Sequence, residues 1–413
     1  MSELKVETDP AEVGLDADRL ERIGRHFRSY VDDGKLPGWL ITVNRHGRRA
    51  YVAAHGSRDL EAGRPVETDT LWRIYSMTKP ITSVAAMMLY EEGGFELTDP
   101  VSRFIPSFGD VRVFDGGSDL KAVTVPAAEP VRIWHLLTHT SGLTYGFHRS
   151  HPVDAMYRAA GFEWAWPPGT DLAQACDRWA GLPLLFQPGA EWNYSVSTDV
   201  LGRVVEVVSG QSLDEFFASR IFGPLGMTDT TFWTGDAERL AALYTSGPDG
   251  RPARLDTLGG QALTPPTLLG GGGGLLSTAA DYDRFTQMLL DRPDSPAGEL
   301  DGSRLLGSRT VRYMGRNHLP GNLDLKTFGR PLYAETPFVG VGFGLGFAVT
   351  IDPVAGEVIS SEGELTWGGA ASTVFWIDPS EELTVSFFTQ LLPSSSFPIR
   401  SQLRQLVYQA LVD

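Results

Sequence analysis

Strand-like segments stand near both ends of this chain, with a long helical stretch between them. That order confines the fold to a sheet assembled from two distant parts of the sequence. Gly38 introduces Trp39-Leu40-Ile41-Thr42-Val43, Arg45-His46-Gly47-Arg48 makes a turn, and Tyr51-Val52-Ala53-Ala54 returns as a hairpin partner. Residues 343–351, 371–377 and 383–389 alternate or run apolar, with turns at Asp352-Pro353 and Asp378-Pro379. Leu20, Ile23, Phe27, Tyr30 and Val31 recur at helical spacing before the first hairpin, and Ile399, Leu403, Leu406, Val407 and Leu411 do so after the last strand. From 131 to 288 the pattern is mainly helical, with 132–137, 200–208 and 213–221 as predicted helices. The expected class is α/β in the α+β sense, an antiparallel sheet flanked by helices and built from both chain ends. Residues 1–75 and 290–413 form the sheet domain, 76–289 a mainly helical inserted domain, and a cleft lies at the seam.

Composition narrows the function. A chain of 413 residues, 42% hydrophobic and 21% charged, buries a large core. Its formal net charge of -16 argues against a nucleic-acid partner, which needs clustered lysine and arginine. No apolar run reaches the length of a membrane span, and residues 1–20 show no basic-then-apolar leader, so a cytoplasmic protein without membrane association is expected. The single cysteine, Cys176, excludes an internal disulfide and reads as a bystander. No cofactor is implied, and oligomeric state leaves no mark on the sequence.

The chemistry centres on one of five lysines. Lys79 follows Ser76 by three positions in Tyr75-Ser76-Met77-Thr78-Lys79-Pro80, which places both on one face of a helix continuing through 81–92 and stopped by Gly93-Gly94. A hydroxyl beside an amine of lowered pKa is an activated nucleophile; the plainer role for Ser76 is a helix cap. Two other Ser-x-x-Lys copies lack this setting. Ser2-Glu3-Leu4-Lys5 falls in a polar, frayed terminus, and Ser118-Asp119-Leu120-Lys121 in a loop entering a strand. Tyr194, in a loop fixed by Pro188-Gly189 and the helix after Ser197, is either a packed ring with its hydroxyl satisfied locally or a phenolate, its pKa lowered by a nearby lysine, that takes a proton from serine and returns it to a leaving group. His135 and His139 have the i, i+4 spacing of a zinc helix, but Leu136 stands where the metalloprotease pattern needs glutamate, so no metal is expected. No Gly-x-Ser-x-Gly elbow occurs. The run Gly270 to Gly274 lacks the Lys-Ser/Thr of a phosphate loop and reads as backbone packed closely against a neighbour.

Four motifs in order carry a resemblance: Ser76-Met77-Thr78-Lys79; Leu136-Leu137-Thr138-His139-Thr140-Ser141-Gly142-Leu143; Tyr194-Ser195; and Gly272-Gly273-Gly274-Leu275-Leu276-Ser277-Thr278. Together they resemble the serine β-lactamase and penicillin-binding-protein superfamily, nearest the class C β-lactamases and the family VIII carboxylesterases. The resemblance implies Ser76 as acylated nucleophile, Lys79 and Tyr194 together as general base, and an oxyanion hole from the N–H groups of Ser76 and Ala370. It also implies that the His139 segment is structural. Two departures point to the substrate. Val196 stands where class C enzymes carry asparagine, and Trp367-Gly368-Gly369-Ala370, just before a strand, replaces their Lys-Thr-Gly. Losing an amide and a cation there implies small neutral or apolar esters, with Trp367, Gly368, Gly369, Tyr145, Phe147 and Val196 around the substrate. The alternatives are a β-lactamase, a D-amino-acid peptidase or amidase, an acyltransferase, and a non-catalytic ligand-binding relative.

Overall fold

The computed structural model describes residues 4–331 and 333–412. Its central sheet has eight strands: β1 (Gly38–Arg45), β2 (Arg48–Asp59), β3 (Arg64–Pro65), β4 (Val341–Phe343), β5 (Ala348–Thr350), β6 (Leu365–Gly368), β7 (Val374–Asp378) and β8 (Leu383–Phe388). They lie in the order β4-β5-β6-β7-β8-β1-β2-β3, with every neighbour antiparallel. The two chain ends join at β8 and β1, where Leu40 faces Phe388 and Val43 faces Val385. Every residue of β1 is buried, so neither face of the sheet there meets water.

Five helices set the layers: α1 (Ala17–Asp32), α2 (Thr78–Glu91), α3 (Ser197–Ser209), α4 (Ala279–Leu289) and α5 (Ile399–Tyr408). Alternation along the strands decides what each packs against. Trp39, Ile41, Val43, Trp376 and Val385 share a core with Leu20, Ile23 and Phe27 of α1 and Leu403 and Val407 of α5. Leu40, Phe375, Ile377 and Phe388 point the other way, into the larger core that includes α2. Each such apolar side chain contributes about 1.5–3 kcal/mol. Two buried ion pairs tie helices to the sheet. Asp283 of α4 accepts from Thr42 Oγ1 at 2.8 Å and Arg49 Nε at 2.9 Å. Arg404 of α5 donates to Glu364 at 2.6 Å, just before β6. An antiparallel bridge between Leu15 and Leu411 brings the two ends of the described chain together.

Three predicted elements differ in detail. Residues 343–351 form the end of β4 and the whole of β5, because the chain reverses at Gly346, whose φ of 95° is open to glycine and where a Cβ would collide with Ser83. The turn is apolar because it is buried, so it reads as continuous strand. Trp367 and Gly368 close a strand of their own, β6, with Trp367 opposite Phe375. The helix predicted over 213–221 runs Leu213–Phe217 and then widens into a π turn, Ala218–Phe222. Ser118–Lys121 is a hairpin turn between strands Arg112–Gly117 and Ala122–Pro126. At the N-terminus Ser2 and Glu3 lie outside the described residues, while Leu4 is buried and Arg49 donates to the Lys5 carbonyl at 3.1 Å, so Leu4 and Lys5 are pinned to the sheet. Among the described residues, no helix is long and apolar enough to cross a membrane.

Candidate active site

Tyr75 has a left-handed backbone, φ 44°, a costly conformation for a bulky residue. It opens a 3-10 turn, Tyr75–Met77, that runs directly into α2. Ser76 therefore sits where a helix begins, with an N–H that has no carbonyl partner within the helix. Lys79, in the first turn of α2, is 1% exposed. Its Nζ donates to Ser76 Oγ at 3.3 Å, to Tyr145 Oη at 3.0 Å and to the Gly272 carbonyl at 2.6 Å. From the opposite side Tyr194 Oη donates to Ser76 Oγ at 2.5 Å.

Tyr194 is held by both its backbone and its ring. The neighbouring Asn193 N–H donates to the His139 carbonyl at 2.9 Å, and Asn193 Nδ2 to the Leu143 carbonyl at 2.9 Å. His139 Nδ1 lies 3.1 Å from Ser195 Oγ. The rings of Tyr145, His139 and Trp367 meet the Tyr194 ring edge-on, with centroids 5.2, 5.3 and 5.3 Å away. His139 is thus part of the brace. His135 turns elsewhere, its Nδ1 accepting the Arg132 N–H at 3.1 Å.

Burial governs the protonation states. It pulls Lys79 down to about 8 against the charges of Asp199 and Glu335, which act in the opposite direction. The phenol of Tyr194 behaves otherwise than its proximity to Lys79 suggests. Burial, reinforced by the Glu335 carboxylate, pushes it well above the usual tyrosine range despite the hydrogen bond to Ser76. In the resting protein Tyr194 is a neutral phenol and Lys79 is the group that titrates near neutrality. Burial and the Lys79 charge keep His139 neutral, and burial holds His135 near 4.

Ser76 opens onto a cavity of about 230 Å³. Of the residues expected around the substrate, Tyr145, Phe147 and Ala370 line it. Trp367 does not: it is fully buried behind Tyr194 and also meets Phe343. Gly368 and Gly369 likewise stand behind the wall, and a Cβ at Gly369 would collide with the Ile74 carbonyl. Val196 is buried at the start of α3, its N–H on the Thr144 carbonyl at 3.4 Å. Sequence reasoning did not find Asp199, Tyr75, Glu335 and Tyr333, all of which line the cavity, nor the Tyr145 hydroxyl as a partner of Lys79. The glycine run was the available signal for one of them. A Cβ at Gly272 would collide with the Asp199 carboxylate, and one at Gly271 would stand 2.9 Å from the Thr198 carbonyl.

A serine hydroxyl between an amine and a phenol can be deprotonated as it attacks and reprotonate a leaving group, which is the requirement of acyl transfer. Comparison with known proteins agrees. The family described as Beta-lactamase matches residues 23–409. An uncharacterized protein of Mycobacterium tuberculosis is 38% identical over 379 residues, 90% of each chain. Esterase EstB of Burkholderia gladioli is 32% identical over 97% of this chain and 98% of its own. The solved structure of EstCE1, a hydrolase with promiscuous acyltransferase activity, superposes with a TM-score of 0.79 at 28% identity, covering 95% of this chain and 98% of that one. Motif order, antiparallel sheet and esterase relatives converge on one assignment: the chain belongs to the β-lactamase family, as a serine hydrolase on its ester-hydrolase or acyltransferase side.

Proposed function

We propose that this chain is a carboxylesterase of the family VIII type, hydrolysing small, neutral or apolar esters through an acyl-enzyme on Ser76. One observation carries it: Tyr194 Oη at 2.5 Å and Lys79 Nζ at 3.3 Å flank Ser76 Oγ beside a cavity walled by Tyr145, Phe147, Trp164, Phe232 and Leu268. Ser76 Oγ attacks the ester carbonyl as its proton passes to the pair Lys79 and Tyr194. The oxyanion rests between the N–H groups of Ser76 and Ala370, where losing one donor typically costs about a hundredfold or more in rate. Tyr194 then protonates the departing alkoxide, and water enters by the same route to release the acid. Arg73 is in the lining, but its guanidinium is engaged by the Ala241 and Gly259 carbonyls, while among the described residues the Asp199 carboxylate has no cation of its own; that balance disfavours anionic substrates such as most β-lactams.

Hydrolysis of p-nitrophenyl esters of increasing acyl length, with nitrocefin alongside, tests this in wild type and Ser76→Ala. Ester turnover that disappears in the variant, with little nitrocefin cleavage, is expected. Nitrocefin turnover exceeding ester turnover would move the assignment to a β-lactamase, and turnover unaffected by Ser76→Ala would remove the mechanism. Acyl transfer to an alcohol is a second outcome of the same acyl-enzyme, favoured by the likeness to EstCE1. A transesterified product from an added alcohol is its signature.

A further inference from the structure

Asp199 is a buried carboxylate, 1% exposed, in the first turn of α3, the helix that follows the Tyr194 loop. Among the described residues no lysine or arginine forms an ion pair with it, and its neighbours explain what it holds. Asp199 Oδ1 accepts the Gly272 N–H at 2.9 Å. The carbonyl of the same glycine accepts from Lys79 Nζ at 2.6 Å. The glycine run lies against the first turn of α3 closely enough that a side chain at Gly271 or Gly272 would collide with Thr198 or Asp199. The carboxylate and the amine are thus joined through one residue packed tightly against the first turn of α3.

We propose that Asp199 is a positioning residue for the amine of Lys79, holding it through Gly272 and supplying the negative charge that faces it. The proposal rests on the mechanism above, with Lys79 as the member of the Lys79–Tyr194 pair that takes up the serine proton.

The other groups facing the amine leave this part to Asp199. Ser76, Tyr145 and Tyr194 present neutral hydroxyls, and His139, from the segment after the Ile133–Leu137 helix, is neutral. Glu335, from the segment before β4, is already engaged by Arg400, Tyr333 and Ser394. Asp199 is the carboxylate near Lys79 that has no cation of its own. Burial pushes the Asp199 carboxyl up, while the Lys79 charge and the Gly272 N–H act against that and favour its ionised form; that charge in turn favours the protonated amine, so removing it moves deprotonation to lower pH.

The test is the pH dependence of kcat/KM on p-nitrophenyl butyrate for wild type, Asp199→Asn and Gly272→Ala. Wild type is expected to gain activity through a limb near pH 8, where Lys79 loses its proton. In Asp199→Asn the limb moves to lower pH by about one unit. Gly272→Ala displaces the carboxylate without removing it and moves the limb the same way, so it decides the matter if Asp199→Asn does not fold. A limb that stays in place in the folded variants, with only a lowered plateau, overturns the proposal and leaves Lys79 as base. Absence of any such limb in wild type overturns both.

Discussion

Lys79 carries a cost that its neighbours only partly offset. Held at about 8 against 10.5 for an ordinary lysine, it binds fewer protons in the folded chain than in the unfolded chain between those values. Stability therefore rises with pH across about 8 to 10.5 from this group, and the full penalty, roughly 3 kcal/mol, applies below pH 8. Lys79→Met is expected to abolish ester turnover yet raise Tm at pH 7 by about 1–3 °C, with less gain near pH 10. A Tm lower than wild type at both values would show that the hydrogen bonds of the amine outweigh its burial. Tyr194→Phe removes the proton-bearing oxygen and keeps the ring in its aromatic brace. It should lower kcat by about a hundredfold or more with little change in KM. A KM effect alone would make Tyr194 a wall of the pocket. At this scale Ser76 and Lys79 were legible because i, i+3 spacing on a helix is a local rule. Asp199 and Glu335 were not, because what makes them neighbours of Lys79 is the packing of distant segments.

Among the elements, α5 depends on one buried charge pair. Arg404 reaches Glu364 at 2.6 Å, and the Tyr408 hydroxyl reaches Glu364 at 3.1 Å, all in the interior. Glu364→Ala leaves a buried guanidinium without its carboxylate and is expected to cost about 3–5 kcal/mol, read from the denaturation midpoint. Replacing Glu364 and Arg404 together by apolar residues of similar size should cost far less; equal losses would mean that the pair acts by shape alone. Which elements could be foreseen follows from where their punctuation lies. The hairpin β1–β2 announces itself through an exposed turn at His46-Gly47 between alternating runs. The reversal between β4 and β5 is buried, so its glycines sit among apolar residues and give no break in the pattern. β6 is four residues long, and its last residue, Gly368, is followed by a second glycine outside the strand, a pair that reads as loop until Phe375 and Val374 are seen opposite Trp367 and Gly368.

Across the whole molecule, the sheet is closed by contacts between the ends of the chain, and the candidate site residues Ser76, Lys79, Tyr194 and Asp199 all lie between them. Thr389 Oγ1 donates to the Gly38 carbonyl, 351 residues away. Leu40 of β1 pairs with Phe388 of β8 at almost the same separation. Pairing over such distances is slow to form, since a long loop must close before any contact stabilises it. During synthesis the consequence is a delay. At roughly 5–20 residues per second, β1 waits on the order of tens of seconds for its partner, with one edge unpaired and the apolar side chains of Trp39, Leu40, Ile41 and Val43 short of their full core. Ser76, Lys79 and Tyr194 have all been translated by then and are of no use. A chain ending at residue 380 should therefore be insoluble and inactive, and ribosome-bound intermediates should stay protease-sensitive until α5 has emerged.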